Sequence, residues 1–320
     1  MTALPSLRQL RYLVTLADTL NFTRAAEACF VTQSTLSGGI QELERVLGAT
    51  LVERDRQRVV LTPVGHDVVA RARGLLSMAG DLVAVAAASG DPMAGLVRLG
   101  AIPTIAPFLL PPLLKAARTR HPGLRVALRE DQTARLLERV RDASLDFALI
   151  ALPWDTQGLR VRELFSEELW LIAAPGDPAA RRARPTVDSL DPLRLLLLEE
   201  GHCLRSHTLS GCGLSESANP TGLEATSVPT LVQMVEEGLG FALLPEMAVR
   251  AGALNATDVV ARPIAAPAPQ RTIAMVARAT TTRAPVFEAV STILAELGAR
   301  PARRQHAPRA SPGVDRGRER

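Results

Sequence analysis

The fold of the first part of the chain is decided by the stretch Ala25-Ala26-Glu27-Ala28-Cys29-Phe30-Val31-Thr32-Gln33-Ser34-Thr35-Leu36-Ser37. Small residues at its start predict a helix that a second helix can cross closely. Polar side chains from Thr32 to Ser37 suit the start of that second helix, whose buried face continues through Ile40, Leu43 and Leu47. We interpret the pattern as a helix-turn-helix, in which the N-terminal residues of the second helix enter the DNA major groove.

The flanking segments extend this pattern in both directions. A helix is predicted before it, at residues 7–18, and a strand-turn-strand wing after it, at residues 51–61. Thr62-Pro63 then starts a long helix, because threonine caps helices and proline favours their first position. Its heptad core positions, five of them apolar, are Val68, Arg71, Leu75, Met78, Leu82 and Val85. This seam predicts a dimerising linker helix, and the alternative is an amphipathic helix lying on its own domain.

From Ser89-Gly90-Asp91-Pro92 onward, apolar strands alternate with helical stretches over some 200 residues. We predict strands at 96–102, 125–129, 147–152, 169–174, 195–198, 241–244 and 272–277, and helices at 113–120, 134–143, 228–237 and 286–297. The alternation is typical of an α/β region, and its length suits two small lobes.

Composition narrows the classes of protein that remain. The 320 residues include 47% hydrophobic and 22% charged side chains, which excludes a small scaffold and a largely disordered chain. No apolar run approaches the ~20 residues that a membrane-spanning helix needs, so we expect a cytoplasmic protein with no membrane partner. The formal charge of +4 comes from residues 299–320, with seven arginines against two acidic residues. We predict a disordered basic tail there, and any DNA binding must rest on the motif.

The N-terminal motifs resemble those of the LysR-type transcriptional regulators. The shared residues are Ala25-Ala26, Thr32-Gln33-Ser34-Thr35-Leu36-Ser37, Ile40, Leu43-Glu44, Leu47-Gly48, Leu51, Arg54, Leu61-Thr62 and Gly65, and later Gly238-Leu239-Gly240-Phe241-Ala242-Leu243-Leu244-Pro245. Val52 departs from the phenylalanine usual in that family. The resemblance implies that operator DNA is contacted by Thr32, Gln33, Ser34, Thr35, Ser37 and Arg54.

The same resemblance implies the whole architecture, an α/β protein with an N-terminal winged helix-turn-helix. The expected units are the DNA-binding domain at 1–62, a dimerising linker helix at 63–89, and a two-lobed effector domain similar to periplasmic binding proteins. Lobe I is expected at 90–166 and 273–298, and lobe II at 167–272. The implied assembly is a homodimer or homotetramer on double-stranded DNA, with RNA polymerase as a further candidate partner.

Two of the three cysteines, Cys203 and Cys212, stand in the segment richest in reactive side chains. Cys203 follows Gly201-His202 and precedes Arg205, and Cys212 lies nine positions later. Thiols react with peroxide as thiolates, which the charge of Arg205 or His202 would favour, and the resulting sulfenic acid needs a second thiol to form a disulfide. We expect a ten-residue loop between them, in which His207 is exposed at the surface. The third, Cys29, is predicted to be an inert buried thiol.

This segment resembles the OxyR-type hydrogen-peroxide sensors within the LysR-type family. They share Glu200-Gly201-His202-Cys203-Leu204-Arg205, the interval to Cys212, and the motifs Ile102-Pro103-Thr104, Gln132-Thr133 and Arg271-Thr272-Ile273. The resemblance implies that Cys203 reacts with peroxide and Cys212 resolves it, while Thr104, Thr133 and His202 hold the peroxide. Arg205, Ser206 and Arg271 would tune the redox chemistry. Ser206 replaces the aspartate common in these sensors, which predicts altered oxidation or reduction rates.

Other interpretations of the same residues stay open. His202, Cys203, His207 and Cys212 could bind zinc, although they lack paired C-x-x-C or H-x3-H spacing, so we expect neither a metal nor a cofactor. The thiols could be idle in a regulator that binds a small organic effector between its lobes. A thiol peroxidase or disulfide oxidoreductase is disfavoured, because the chain lacks a C-x-x-C motif and devotes about 60 residues to a DNA-binding pattern. We therefore expect a regulator, not an enzyme.

Overall fold

The structure, a computed structural model, describes residues 4–54, 59–87, 91, 93–219 and 221–299. Two predictions fall on other residues: the basic tail from residue 300 onward and the end of the linker at 88–89. They lie outside the described part of the chain, as do the side chains of Arg54 and Val85.

The N-terminal part has three short helices, an antiparallel two-stranded wing and one long helix. These elements are α1 (Leu7–Thr19), α2 (Phe22–Ala28), α3 (Gln33–Leu47), β1 (Val52–Arg54), β2 (Val59–Leu61) and α4 (Pro63–Ala87). Leu36, Ile40 and Leu43 of α3 are fully buried in the core that these helices share. The prediction of a winged helix-turn-helix is thereby confirmed, except that Leu47, the last residue of α3, is exposed.

The wing is held against the helices on both sides. The Glu44 carboxylate of α3 accepts hydrogen bonds from the backbone N–H groups of Leu51 and Val52, at 2.8 and 3.1 Å. On the other side, α4 begins at Pro63 as predicted, and a Cβ at Gly65 would lie 2.1 Å from the carbonyl oxygen of Leu51. Only glycine allows the backbone of α4 to approach the wing this closely.

Helix α4 carries apolar side chains on two faces. Val69, Ala72 and the half-buried Leu76 pack into the core of the DNA-binding domain. Of the predicted seam, Val68 is half-buried against the same core, whereas Leu75, Met78 and Leu82 are 45%, 57% and 74% exposed. Packing on its own domain therefore accounts for the start of the seam but leaves Leu75, Met78 and Leu82 uncovered in a single chain.

The remaining elements form the α/β region. Its helices are α5 (Ala106–Arg120), α6 (Thr133–Arg141), α7 (Cys203–Gly211), α8 (Val228–Glu236), α9 (Glu246–Arg250) and α10 (Ala284–Gly298). Its strands are β3 (Gly95–Ala101), β4 (Leu124–Glu130), β5 (Phe147–Leu152), β6 (Leu159–Ala173), β7 (Leu197–Leu198), β8 (Glu224–Ala225), β9 (Phe241–Pro245), β10 (Val260–Pro263) and β11 (Gln270–Arg278). None of the described helices is both long and apolar enough to cross a membrane.

A sheet in the order β10-β6-β11-β5-β3-β4, with β9 also paired to β6, runs through the region. Nine of the first ten residues of β6 pair with β11, with an irregularity at Leu164, and its last five pair with β9, four of them also with β10. The sequence predicted only the end of β6, because its first half is largely polar. The expected lobe boundary at 166/167 falls inside β6, so this strand joins the two parts of the sheet.

Two hydrophobic cores lie on either side of that junction. One contains β3, β5 and much of β11 with α5, α6 and α10, and the other contains β9 and the end of β6 with α8. Helix α7 contributes to both, because Cys203 packs into the first core and Leu204 and Leu209 pack into the second. The two cores support the two-lobed organisation, while the residue boundaries of the lobes stay predictions.

Candidate functional site

The site is built around Cys203, the first residue of α7, whose side chain is only 4% exposed. The preceding Gly201 has a φ of +91°, a conformation that favours glycine, and His202 is the N-cap of the helix. A small pocket opens beside the thiol, lined by Ile102, Pro103, Thr104, Gln132, Thr133, Gly201, His202 and Cys203. The structure thus brings together Cys203, Thr104, Thr133 and His202 from three separate segments, as the resemblance implies.

Opposing influences act on the Cys203 thiol. Burial raises its pKa, and this is the largest effect. The positive charge of Arg271 and interaction with the hydroxyl of Thr133 lower the pKa, as do nearby backbone groups, including that of Ala151. Arg271, which the resemblance assigns to redox tuning, is therefore the described side-chain charge that favours the thiolate, although it lies 68 residues away in sequence.

Arg271 is fully buried and bound on all sides. Its Nε and Nη2 donate to Glu167 Oε1 at 3.0 and 2.8 Å, which pairs the guanidinium with a buried carboxylate. Its Nη1 donates to Thr104 Oγ1 at 2.7 Å. Because the Thr104 oxygen accepts from Arg271, its own hydroxyl proton is directed towards another acceptor.

The hydroxyl of Thr133, at the first position of α6, is buried and makes no hydrogen bond of normal geometry. A buried polar group without a partner is uncommon in a folded protein. In this pocket it is available to a small molecule that can donate or accept hydrogen bonds. His202 is also buried, with its Nε2 3.7 Å from Glu199 Oε1.

Arg205 and Ser206 make hydrogen bonds to groups outside the pocket. Arg205 donates to the Leu198 and Ala218 carbonyl oxygens and to Glu224, at 3.2, 2.9 and 2.8 Å, so it fixes α7 to the β7–β8 pair. Ser206 Oγ donates to Glu216 at 2.9 Å. Their predicted tuning of the redox chemistry stays a prediction, and these contacts suggest that it acts through the position of α7 instead of through direct charge.

Cys212 is the C-cap of α7, at the far end of the helix from Cys203. Burial raises the pKa of its thiol to about 11. The expectation of a loop between the cysteines was wrong, because residues 203–211 are helical. Nine helical steps separate the two Cα atoms by about 13.5 Å, whereas a disulfide needs about 4.4–6.8 Å. A bond between these cysteines therefore requires part of α7 to unwind.

The position of His207 corrects a further expectation. His207 is not at the surface of a loop, because it lies on α7, is half-buried and has Nε2 2.7 Å from the Leu152 carbonyl oxygen. Had the helix been predicted, its spacing of four residues from Cys203 would have placed both on one face. Among the described residues no cluster of His, Cys, Asp or Glu is arranged to hold a metal ion, and Cys29 is buried as predicted.

The predicted DNA-contacting residues lie at the start of α3. Thr32 is the N-cap, and its hydroxyl accepts a hydrogen bond from the Thr35 N–H at 3.2 Å. Gln33, Ser34 and Thr35 are exposed there, and Ser37 is half-buried. Thr32 thus has the structural role of a cap, while its neighbours present polar side chains beside the free N–H groups of the helix terminus.

Comparison with known proteins covers nearly the whole chain. Residues 7–66 match the family model described as bacterial regulatory helix-turn-helix protein, lysR family, and residues 90–299 match the LysR substrate binding domain. The chain is 48% identical over 299 residues to the HTH-type transcriptional regulator EstR of Acinetobacter baylyi, covering 93% of this chain and 99% of that one. It is 40% identical over 294 residues to a probable hydrogen peroxide-inducible genes activator of Mycobacterium avium, covering 92% and 94%.

Solved structures give a consistent result. A full-length OxyR variant from Pseudomonas aeruginosa matches with a TM-score of 0.76 at 34% identity, covering 91% of this chain and 95% of that one. The order of a helix-turn-helix domain followed by an α/β effector domain is therefore shared with this structure.

Proposed function

The chain belongs to the LysR family of transcriptional regulators, and from that premise we propose that it senses hydrogen peroxide by forming a reversible disulfide between Cys203 and Cys212. Regulators of this family bind DNA, so the proposed output is a change in how the protein contacts its operator. Such a protein works where the chromosome is, which in bacteria is the cytoplasm.

The pocket beside Cys203 is the observation that carries this proposal. It combines a buried thiol, a guanidinium that favours the thiolate, the unpartnered hydroxyl of Thr133 and the hydroxyl of Thr104, whose oxygen accepts from Arg271 and whose proton can be donated to a small polar molecule. In this conformation the pocket leaves no room for a water-sized molecule, whereas the cavity between α5, α9 and α10 has a volume of about 590 Å³. Hydrogen peroxide, with two donors and two acceptors on two heavy atoms, matches the polarity of the smaller pocket, and its entry requires the lining side chains to move apart.

The chemistry follows from these groups. The Cys203 thiolate attacks one peroxide oxygen, the S–O bond forms, the O–O bond breaks, and the departing hydroxide takes a proton to become water. The hydroxyls of Thr104 and Thr133 stabilise the charge that develops on the leaving oxygen. The Cys212 thiolate then attacks the Cys203 sulfur, an S–S bond forms, and the second oxygen leaves as water after protonation. Two thiols are oxidised and one peroxide is reduced to two waters.

Unwinding of α7 links this chemistry to the rest of the molecule. Because α7 packs into both hydrophobic cores, a disulfide that pulls Cys203 towards Cys212 must remove contacts from each of them. The modification therefore distinguishes between two arrangements of the effector domain, as any switch must. The exposed seam of α4 indicates a homo-oligomer, in which this rearrangement would change the spacing of paired DNA-binding domains. RNA polymerase is a candidate recipient of the altered complex.

Thiol mass spectrometry before and after a stoichiometric peroxide pulse tests the proposal. We expect one Cys203–Cys212 disulfide in the native chain, no peroxide consumption in Cys203→Ser, and sulfenic or further oxidised Cys203 in Cys212→Ser. Cys29→Ser is the matched control and should behave like the native protein. A native chain that keeps both thiols, or a disulfide that involves Cys29, would overturn the assignment.

A second candidate is a regulator that responds to a small organic effector. It is favoured by the 48% identity to EstR, whose name does not mention peroxide, and by the larger cavity lined by Phe108, Phe165 and Met247. The two functions differ in one observable. Peroxide alone, without any metabolite, should change DNA binding only if the first proposal is correct. Repeated turnover of peroxide with a reductant would instead indicate a thiol peroxidase.

A further inference from the structure

His207 lies one turn after Cys203 on α7, and both side chains meet the end of β5. The Nε2 of His207 is 2.7 Å from the Leu152 carbonyl oxygen, and the Cys203 thiol interacts with the backbone of the preceding Ala151. Strand β5 belongs to the first core, whereas the buried leucines of α7, Leu204 and Leu209, belong to the second. The imidazole therefore ties the redox helix to the opposite lobe at a point next to the reactive thiol.

The protonation state of His207 follows from its partners. A carbonyl oxygen only accepts hydrogen bonds, so Nε2 carries a proton and donates it to Leu152. The other ring nitrogen, Nδ1, is buried and has no hydrogen-bond partner. A proton on Nδ1 would thus place a second charge in a confined site that already holds the Arg271 guanidinium.

Several charges and dipoles face this ring. Burial is the largest influence and lowers the pKa of His207, and Arg271 on β11 acts in the same direction. The pKa is raised by the backbone groups of Leu152 and Cys203 and by the carboxylate of Glu216, but these effects do not reverse the overall lowering. The neutral imidazole is therefore the form that suits the docked helix.

We propose that His207 is a positioning residue that holds α7 in its docked helical state, and so limits the rate at which Cys212 resolves the Cys203 sulfenic acid. The inference rests on the proposed disulfide chemistry. The hydrogen bond to Leu152 is intact while peroxide oxidises Cys203, and it breaks only when α7 unwinds to bring Cys212 to the oxidised sulfur. His207 thereby acts on the second step and not on the first.

The proposal has a defined pH dependence. Because docking lowers the pKa of His207, the docked state loses stability as the pH falls through the ordinary histidine value of about 6.5. Acid should therefore favour unwinding and speed resolution. Acid also lowers the thiolate fraction of Cys212, which slows disulfide formation in every variant. The informative quantity is therefore the rate of disulfide formation in the native chain divided by the same rate in His207→Gln. Glutamine keeps an N–H donor but does not titrate. This ratio should rise as the pH falls from 7.5 to 5.5.

The experiment measures the two steps separately on the full chain. After a peroxide pulse, sulfenic acid is trapped with dimedone and the disulfide is quantified by mass spectrometry at successive times. In His207→Ala we expect disulfide formation to be about fivefold faster, since the reduced state loses one hydrogen bond, and the oxidation of Cys203 to change less than twofold. His207→Gln should restore the native rate near pH 7.5. Ser210→Ala, an exposed position on the same helix, is the matched control.

A second measurement does not depend on peroxide. Amide hydrogen exchange in α7 of the reduced protein should be faster in His207→Ala and native-like in His207→Gln. Three results would each overturn the role of His207. They are unchanged amide exchange in α7 of His207→Ala, unchanged or slower disulfide formation in His207→Ala, and a ratio of native to His207→Gln rates that does not vary with pH. If His207→Ala does not fold, the pH dependence of the ratio between the native and His207→Gln rates still tests the proposal. If the native chain forms no disulfide, the proposed function fails, and exchange in α7 alone then tests whether His207 holds the helix.

Discussion

At the scale of single residues, the candidate site depends on a thiol whose surroundings act against one another. Burial raises the pKa of the Cys203 thiol, while Arg271 and Thr133 lower it. Arg271 is in turn oriented by Glu167 and Thr104. The proposed reactivity of this buried thiol therefore depends on the geometry of a buried ion pair.

The hydroxyl of Thr133 gives a first test at this scale. Thr133→Val keeps the shape of the side chain but removes its interaction with the thiolate and with bound peroxide. We expect oxidation of Cys203 to slow about tenfold, the size of effect that one hydrogen bond of about 1.4 kcal/mol produces. Stopped-flow consumption of peroxide measures it. Thr119→Val, at an exposed position on α5, should have no effect, and equal rates in all three proteins would remove Thr133 from the site.

The raised pKa of Cys212 gives a second test. Burial raises this pKa from 9.0 to about 11, so at pH 8 the thiolate fraction is about 100-fold lower than in an ordinary cysteine. In Cys203→Ser we expect iodoacetamide to alkylate Cys212 slowly, with a rate that rises about tenfold per pH unit up to about pH 11. Denaturant should restore the ordinary rate. Fast alkylation of the folded protein at pH 8 would contradict the buried environment.

The sign of this shift also links Cys212 to stability. Folding favours the neutral thiol, because its pKa is higher in the folded than in the unfolded chain. The stabilisation is therefore complete below pH 9 and is lost as the pH rises from 9 towards 11.

At the scale of elements, α3 presents exposed polar side chains at its N-terminus while Leu36, Ile40 and Leu43 hold it in the core. Substituting Gln33, Ser34 and Thr35 together by alanine should weaken specific operator binding at least tenfold, since each base contact is worth about 1–3 kcal/mol. Thr32 stays unchanged so that the helix cap is preserved. Footprinting and binding titrations measure the effect, and unchanged specificity would show that α3 is not the reading helix.

The seam on α4 makes a separate prediction about assembly. Leu75→Glu places a charge in the middle of an exposed apolar stripe, where a partner helix would bury it. We expect the dimer to dissociate in sedimentation experiments and operator affinity to fall with it. Ala70→Glu, an exposed position of the same helix outside the seam, is the control. A native sedimentation profile for Leu75→Glu would remove α4 from the interface.

At the scale of the whole molecule, the operator footprint should differ between reduced and peroxide-treated protein. Two recognition helices in a dimer read half-sites about one helical turn or a multiple apart, and unwinding of α7 would change their spacing through the effector domains. DNase footprints of the native chain should shift with peroxide, and those of Cys203→Ser should not. If Cys203→Ser keeps the full shift, peroxide does not act through this thiol and the organic-effector function takes its place.

Local patterns in the sequence were sufficient to predict most elements of this protein. The helix-turn-helix, the wing, the start of α4 at Pro63 and the strands β3, β5, β9 and β11 follow from hydrophobic periodicity and capping residues, which act over a few positions. The first two turns of α5 were missed because Pro111 and Pro112 lie inside it, and tertiary packing overrides that local signal.

The motifs around Thr104, Thr133 and Cys203 could also be identified from the sequence, although only packing brings them into one pocket. The structure shows a helix between the cysteines, and tertiary packing alone decided that Arg271, a predicted tuning residue, places its charge beside the thiol and that His207 contacts Leu152. These relations join residues that are far apart along the chain, and their strength depends on burial. Neither property is encoded in the order of neighbouring residues, because both arise only when the two lobes pack around α7.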